Sequence, residues 1–217
     1  MFMQIPVRMQ IFMNTKEAML RKMCAMEDWW FDVRHGIDTT GVVTREFLKT
    51  DSAYRKDATA YHAAWCRSIR ILIRKCAALG IRPEVFIDIG SGKGKPCFYA
   101  ATTKRFKRII GLEFDASLVD QANVFLKKGF AKYPIEFLHA DAASYELGAM
   151  PQSIIFMFNP FGAEVMRLFL KNNSDAMRKY KHVIAYSNDM QHGVLQELGM
   201  QQLFRDPVRK MSLWQYG

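Results

Sequence analysis

The stretch Phe86-Ile-Asp-Ile-Gly-Ser-Gly-Lys-Gly94 decides how the rest of the chain is read. The apolar run Val85–Ile89 has the length and composition of a buried strand, and Lys95 to Thr103 reads as the helix that follows it. Three glycines between them permit a tight turn and let a ligand approach the backbone without a Cβ in the way. The helix N-terminus behind the loop leaves backbone N–H groups free to bind. A phosphate loop of the form G-x-x-x-x-G-K-[ST] does not fit, because position 95 is Lys and neither Ser nor Thr follows it. A dinucleotide loop, G-x-G-x-x-G, fits poorly: the third glycine arrives one residue early, at Gly94, and Asp88 is left without a role.

Outward from this loop, strand and helix patterns alternate. Strands are expected at Val85–Ile89, Arg108–Leu112, Ile135–Leu138, Ser153–Phe158 and His182–Tyr186, with a closing antiparallel pair at Met200–Phe204 and Met211–Tyr216. Helices are expected over Ser117–Lys128, over Ala163–Leu170 and near Val194–Leu198. Such alternation requires a mostly parallel sheet covered on both faces, a Rossmann-like α/β arrangement of seven strands with one antiparallel closing strand. Ahead of it, Thr15 to Phe31 reads as a helix with Met19, Met23, Met26 and Trp30 at helical spacing, and Trp29-Trp30-Phe31 as its packing anchor. After a loop from Gly36 to Gly41, a second helix is expected from about Ala53 to Leu79, with an apolar stripe of Trp65, Ile69, Leu72, Ile73 and Cys76, closed by Gly80. The division expected is an N-terminal helical extension with a lid candidate over residues 1–52 and one catalytic domain over 53–217.

In open α/β sheets, ligands sit beyond the C-terminal strand ends where strand order reverses. The second strand ends at Glu113, in Gly-Leu-Glu-Phe-Asp115, and the third is followed by Asp141, in Leu-His-Ala-Asp-Ala142. Together, Phe86–Gly94, Glu113 and Asp141 resemble the cofactor site of class I S-adenosylmethionine (SAM) dependent methyltransferases, whose first motif is a hydrophobic strand followed by Asp/Glu-x-Gly-x-Gly-x-Gly. The resemblance implies that Asp88 orients the loop and reaches the methionine ammonium. It places Gly90, Ser91, Gly92 and Gly94 around the methionine moiety. It also implies that Glu113 accepts both ribose hydroxyls and that Asp141 contacts the adenine amino group, with Phe114 and Ala142 beside them. Lys93 is either a steering charge for an anionic substrate or a solvated loop lysine.

The fourth strand ends in Phe158-Asn159-Pro160-Phe161, which resembles the [DN]-P-P-[FYW] signature of methyltransferases acting on planar amino groups. That resemblance implies a catalytic role for Asn159, Pro160 and Phe161, with hydrogen bonds to the target amine from the side-chain oxygen and a proline carbonyl, and a ring stacked on it. Here a single proline separates Asn159 from Phe161, so the second carbonyl is altered, and a strand-end turn closing over the cofactor is the other reading. From about Phe31 onward the chain is similar to a little-described group of bacterial class I methyltransferases, through Phe31-Asp-x-Arg-x-Gly-Ile-Asp-Thr-x-Gly41, the Gly-Ser-Gly-Lys-Gly loop and Asn-Pro-Phe. The loop alone also resembles that of the non-SET histone-lysine methyltransferases. Asp38, Thr39 and Gly41 are candidates for a lid over the cofactor, or form an ordinary Asx or Ser/Thr turn. Tyr186-Ser-Asn-Asp189 belongs to the stretches from which this fold builds acceptor pockets.

At 217 residues and 50% hydrophobic, the chain can bury a full core. Its formal net charge of +10 admits an anionic partner such as nucleic acid, although the basic residues are dispersed. Cys24, Cys66, Cys76 and Cys97 form no C-x-x-C pair and no metal-ligand spacing, so free thiols in a reducing, cytoplasmic setting are expected and no metal site is. No apolar run reaches the roughly 18 residues needed to span a bilayer. The function expected is SAM-dependent methyl transfer to an unidentified acceptor, a nitrogen of a protein side chain, nucleic acid or small molecule. The alternatives are a SAM-binding or nucleic-acid-binding module without catalysis, and a nicotinamide oxidoreductase that the loop spacing disfavours. Oligomeric state is open.

Overall fold

The computed structural model describes residues 7–217, with side chains from Ala18 onward. Helix α1 (Val7–His35) leads into a two-stranded ribbon, β1 (Val42–Val43) against β2 (Tyr61–His62), and then helix α2 (Cys66–Ala78). From there strands and helices alternate: β3 (Val85–Ile89), α3 (Lys95–Thr102), β4 (Arg108–Glu113), α4 (Ala116–Phe125) with a π-helical turn at Leu126–Phe130, β5 (Ile135–His139) and β6 (Ser153–Phe158). Helix α5 (Ala163–Tyr180), β7 (Val183–Ser187), α6 (His192–Glu197), β8 (Met200–Asp206) and β9 (Met211–Tyr216) complete the chain.

The sheet order is β5-β4-β3-β6-β7-β9-β8. Strands β3 to β7 pair in parallel, and β9 runs antiparallel to both of its neighbours. Because side chains alternate between faces along a strand, each central strand feeds two cores. Phe86 and Phe156 pack on the side of α2, α3 and α4, while Ile87, Ile155 and Met157 pack on the side of α5 and α6. The chain leaves β3 outward through β4 and β5, then returns to β6 on the other side of β3. The crevice beyond the C-terminal ends of β3 and β6 is therefore the topological switch point. Among the described residues, no helix is long and apolar enough to cross a membrane.

Two expectations for the N-terminal third are corrected. The helix expected from Ala53 to Leu79 exists only from Cys66, and residues 53–65 hold a 3-10 turn (Arg55–Asp57) and β2. The cause is tertiary: this segment binds the loop after β6, with Asp57 and Thr59 making hydrogen bonds more than 100 residues along the chain. The quoted stripe in fact contains no apolar residue before Trp65. In α1, Trp29 and Trp30 are exposed, as are Met19, Met23 and Met26, and of the expected anchor only Phe31 is buried. The helix instead turns Cys24, Asp28, Phe31 and Asp32 inward. Phe31 joins Tyr99 and Phe130 in a ring cluster, and the two carboxylates meet polar groups of the domain.

Candidate functional site

Strand β3 delivers Asp88 to the switch point and the glycine loop turns back over the end of β4. Gly90 and Ser91 N–H groups both donate to the Leu112 carbonyl at 2.8 Å, and Gly94 N–H donates to Ser91 at 2.8 Å. Gly90, Gly92 and Gly94 all have positive φ. At Gly92 the need for glycine is twofold: φ is +52°, and an added Cβ would stand 2.1 Å from the Tyr61 ring. That ring is supplied by β2, so the segment ahead of the domain closes directly on the loop.

The cleft beside the loop holds about 880 Å³ of unfilled space, mouth included, and Asp88, Gly90, Ser91, Glu113, Phe114, Asp141, Ala142, Pro160 and Phe161 all line it. Gly92, Gly94 and Asn159, also expected at the site, do not line the cleft. Glu113 is 5% exposed, and its two carboxylate oxygens accept the N–H groups of Gly92 (2.8 Å) and Asp115 (2.9 Å). Burial nevertheless pushes its pKa up to about 7. Asp88 is buried as well, and burial together with the neighbouring Glu113 charge raises its pKa well above the usual carboxylate range. The buried cation nearby, Lys95, is engaged elsewhere: its Nζ lies 3.4 Å from both Asp28 and Asp32 of α1. Asp141 accepts the Ala143 N–H at 2.8 Å and the Ser52 hydroxyl. Ser91 Oγ is buried and has no protein partner. The cleft thus presents three carboxyl groups, an acceptor set suited to a ligand carrying positive charge and hydroxyl or amino donors.

At the far end, Asn159 adopts φ +44°. Its side-chain oxygen accepts from Tyr186 Oη at 3.2 Å. The Thr59 hydroxyl donates to the Asn159 carbonyl at 2.7 Å, and Thr59 N–H to the Pro160 carbonyl at 3.1 Å. Phe161 is buried and bridges Ala58. Asp189 is buried and ion-paired with Arg205 at 2.9 Å. Asp38 accepts from Thr40, whereas Thr39 is buried, with its N–H on Asp32 at 2.8 Å and its carbonyl on Tyr61 Oη at 2.7 Å. Lys93 donates to the Thr40 carbonyl at 2.6 Å. Residues 39–40 and the ribbon therefore lie across the glycine loop.

Thr59, Tyr61 and the Asp28–Lys95–Asp32 cluster have no place in the sequence reading of the site, and Tyr186 enters it only within the stretch Tyr186–Asp189. One signal existed for the last: a lysine on the first turn of a helix opposes the helix dipole and calls for compensating acids. For Thr59 and Tyr61 no spacing rule applies, because their role comes from chain reversal. Cys97 is buried with its thiol 4.0 Å from Asp88, and burial raises its pKa, which leaves it an unreactive thiol.

No family model matches the sequence, and neither does any curated protein. Solved structures share its fold. The methyltransferase domain of bacterial CtHen1 matches at 12% identity and a TM-score of 0.51, over 69% of this chain and 99% of that one. The ribosomal protein L11 methylase of Lactobacillus delbrueckii subsp. bulgaricus matches at 13% and 0.50, over 70% and 80%. The fold is that of the class I methyltransferases.

Proposed function

We propose that this protein binds SAM in the cleft at the switch point and transfers its methyl group to a nucleophile, a nitrogen. The observation that carries the reading is the set of carboxyl groups Asp88, Glu113 and Asp141, which line one cleft from the C-terminal ends of three adjacent parallel strands. SAM, when bound, supplies a methyl group activated on a sulfonium, with S-adenosylhomocysteine as the product. Asp88 offers the positive end of the ligand a counter-charge. Glu113 uses two of its roughly four acceptor sites on backbone and keeps the others for the ribose hydroxyls. Asp141 holds the adenine amino group, Phe114 and Ala142 flank it, and Gly90, Gly92 and Gly94 let Pro160, Tyr61 and Phe137 close against the loop backbone.

Asn159, Pro160 and Phe161 form the acceptor end. Tyr186 holds the Asn159 amide in one orientation. Thr59 occupies the Pro160 carbonyl with both its N–H and its hydroxyl, and leaves the Asn159 main-chain carbonyl a second lone pair for a target amine. Positioning of an unprotonated amine is the main catalytic demand on these residues. Four buried, unbridged cysteines suit a reducing compartment.

Calorimetry with SAM, S-adenosylhomocysteine and NAD tests the donor: micromolar binding of the first two is expected, and NAD binding without SAM binding would overturn the assignment. Radiolabelled methyl transfer to RNA, DNA, protein extract and metabolites tests the chemistry. Tight SAM binding with no transfer to any of the four would leave a binding module in place of an enzyme.

A further inference from the structure

Among the described side chains of helix α1, Cys24, Asp28, Phe31 and Asp32 are buried against the domain, with Glu27 and His35 half-buried beside them. At 100° per residue, the opposite side carries Met19, Met23, Met26, Trp30 and Val33, all between 45% and 70% exposed. Their spacing is 4-3-4-3, the alternation by which two helices mesh knobs into holes along a left-handed seam. In the sequence the same spacing runs back through Lys16, Phe12 and Met9, and the backbone is helical over the whole span, Val7–His35. Among the described residues, nothing buries this stripe.

We infer that α1 is a dimerisation helix, and that two copies of this chain pair their α1 helices in parallel along this seam. Three observations favour a second copy as the occupant. First, the seam is self-complementary, because a second copy presents the same five side chains, Met19, Met23, Met26, Trp30 and Val33, at the same 4-3-4-3 spacing. Second, the flanking positions match across a parallel pair. Lys22 faces the partner's Glu27, and Trp29 faces the partner's Arg34, an ion pair and a cation–π contact that an antiparallel pair would replace by Glu27 against Glu27. Within its own chain Glu27 also pairs with Arg67 and Arg70, which fixes its position at the edge of the stripe. Third, the area is sufficient. With Trp29 added, the exposed apolar side chains on this side of α1 present on the order of 700 Å² per copy, close to the roughly 800 Å² each partner contributes to a standard interface.

Sedimentation equilibrium of the full chain over a broad concentration range tests this. The expected species is a dimer, twice the 25.1 kDa of one chain. Met26→Glu and Trp30→Glu each weaken it by roughly 30-fold or more, the effect of losing a central interface residue. Their circular dichroism stays at the wild-type value, because these side chains lie outside the core, and their melting temperature equals that of the wild-type chain diluted until it dissociates. Met26→Cys tests orientation without adding a charge. In a parallel pair the two residues 26 face each other and oxidise to a disulfide, while the four native cysteines are buried. A monomer at every concentration, including one that instead sediments with lipid vesicles, overturns the inference. A dimer indifferent to both glutamates overturns it too, and a wild-type dimer in which residue 26 fails to cross-link overturns the parallel seam.

Discussion

Glu113 shows how a single residue couples site chemistry to pH. Its pKa lies near 7 in the unliganded protein against 4.5 for a free glutamate, because burial penalises its charge. A raised folded pKa means that its favourable contribution is present below about 4.5 and lost as pH rises through about 7, with Asp88 acting in the same direction. Ligand hydroxyls donate to the carboxylate form, so SAM affinity should rise as pH climbs toward 7 and level off above it, with proton release on binding in that window. Calorimetry in buffers of different ionisation enthalpy would detect the proton, and Glu113→Gln should flatten the profile. Glu113→Ala should weaken SAM binding by roughly 1.5–3 kcal/mol, the scale of hydrogen bonds to a charged group. An unchanged affinity would remove the ribose role. The positions of Asp88, Glu113 and Asp141 at one end of the sheet were legible in the sequence, because the first two lie in the last two residues of their strands and the third lies two residues beyond its own.

At the scale of elements, two helix starts are completed by residues from distant parts of the chain. Helix α5 follows Gly162, which has no side chain to cap it, and Asp57 substitutes: its carboxylate accepts Val165 N–H at 2.9 Å and its carbonyl accepts Gly162 N–H at 2.8 Å. Asp57→Ala should therefore lower stability by about 1 kcal/mol, the usual worth of an N-cap, measured as a shift in urea midpoint at constant slope. Helix α3 begins with buried Lys95, held by Asp28 and Asp32, and Asp28 also accepts the Cys66 N–H that opens α2. Lys95→Ala would leave two buried carboxylates without their cation and should cost about 3–5 kcal/mol. Replacing all three with apolar residues should restore most of that loss, and an equal loss in the triple variant would show that packing, not charge, is at stake. The apolar periods marked the elements of the domain, but Asp57 and Asp28 carry no apolar signal, so neither the break at Cys66 nor the inward face of α1 was legible.

At the scale of the molecule, His182 sets an acid limit on the fold. It is buried between β6 and β7, accepts the Ser153 N–H at 3.1 Å through Nδ1, and burial lowers its pKa from 6.5 to about 4. A neutral buried imidazole contributes stability above about 6.5, and this is lost as pH falls toward 4 and the unfolded chain takes up the proton. The stability gap between the wild type and His182→Asn should narrow over that window, and a constant gap would assign the loss to other groups. The sequence by itself determined the seven-stranded sheet, its single antiparallel strand and the three acids around Phe86–Gly94. Those depend on local periodicity and on turn chemistry within a few residues. Only the tertiary structure decided that residues 39–62 fold across the glycine loop, that Thr59 occupies one face of the Asn159-Pro160 turn, and that the Met-Trp stripe of α1 faces outward. A helical period says which residues share a face. Which face is buried depends on what lies opposite it, here Lys95 and a ring cluster distant in the chain.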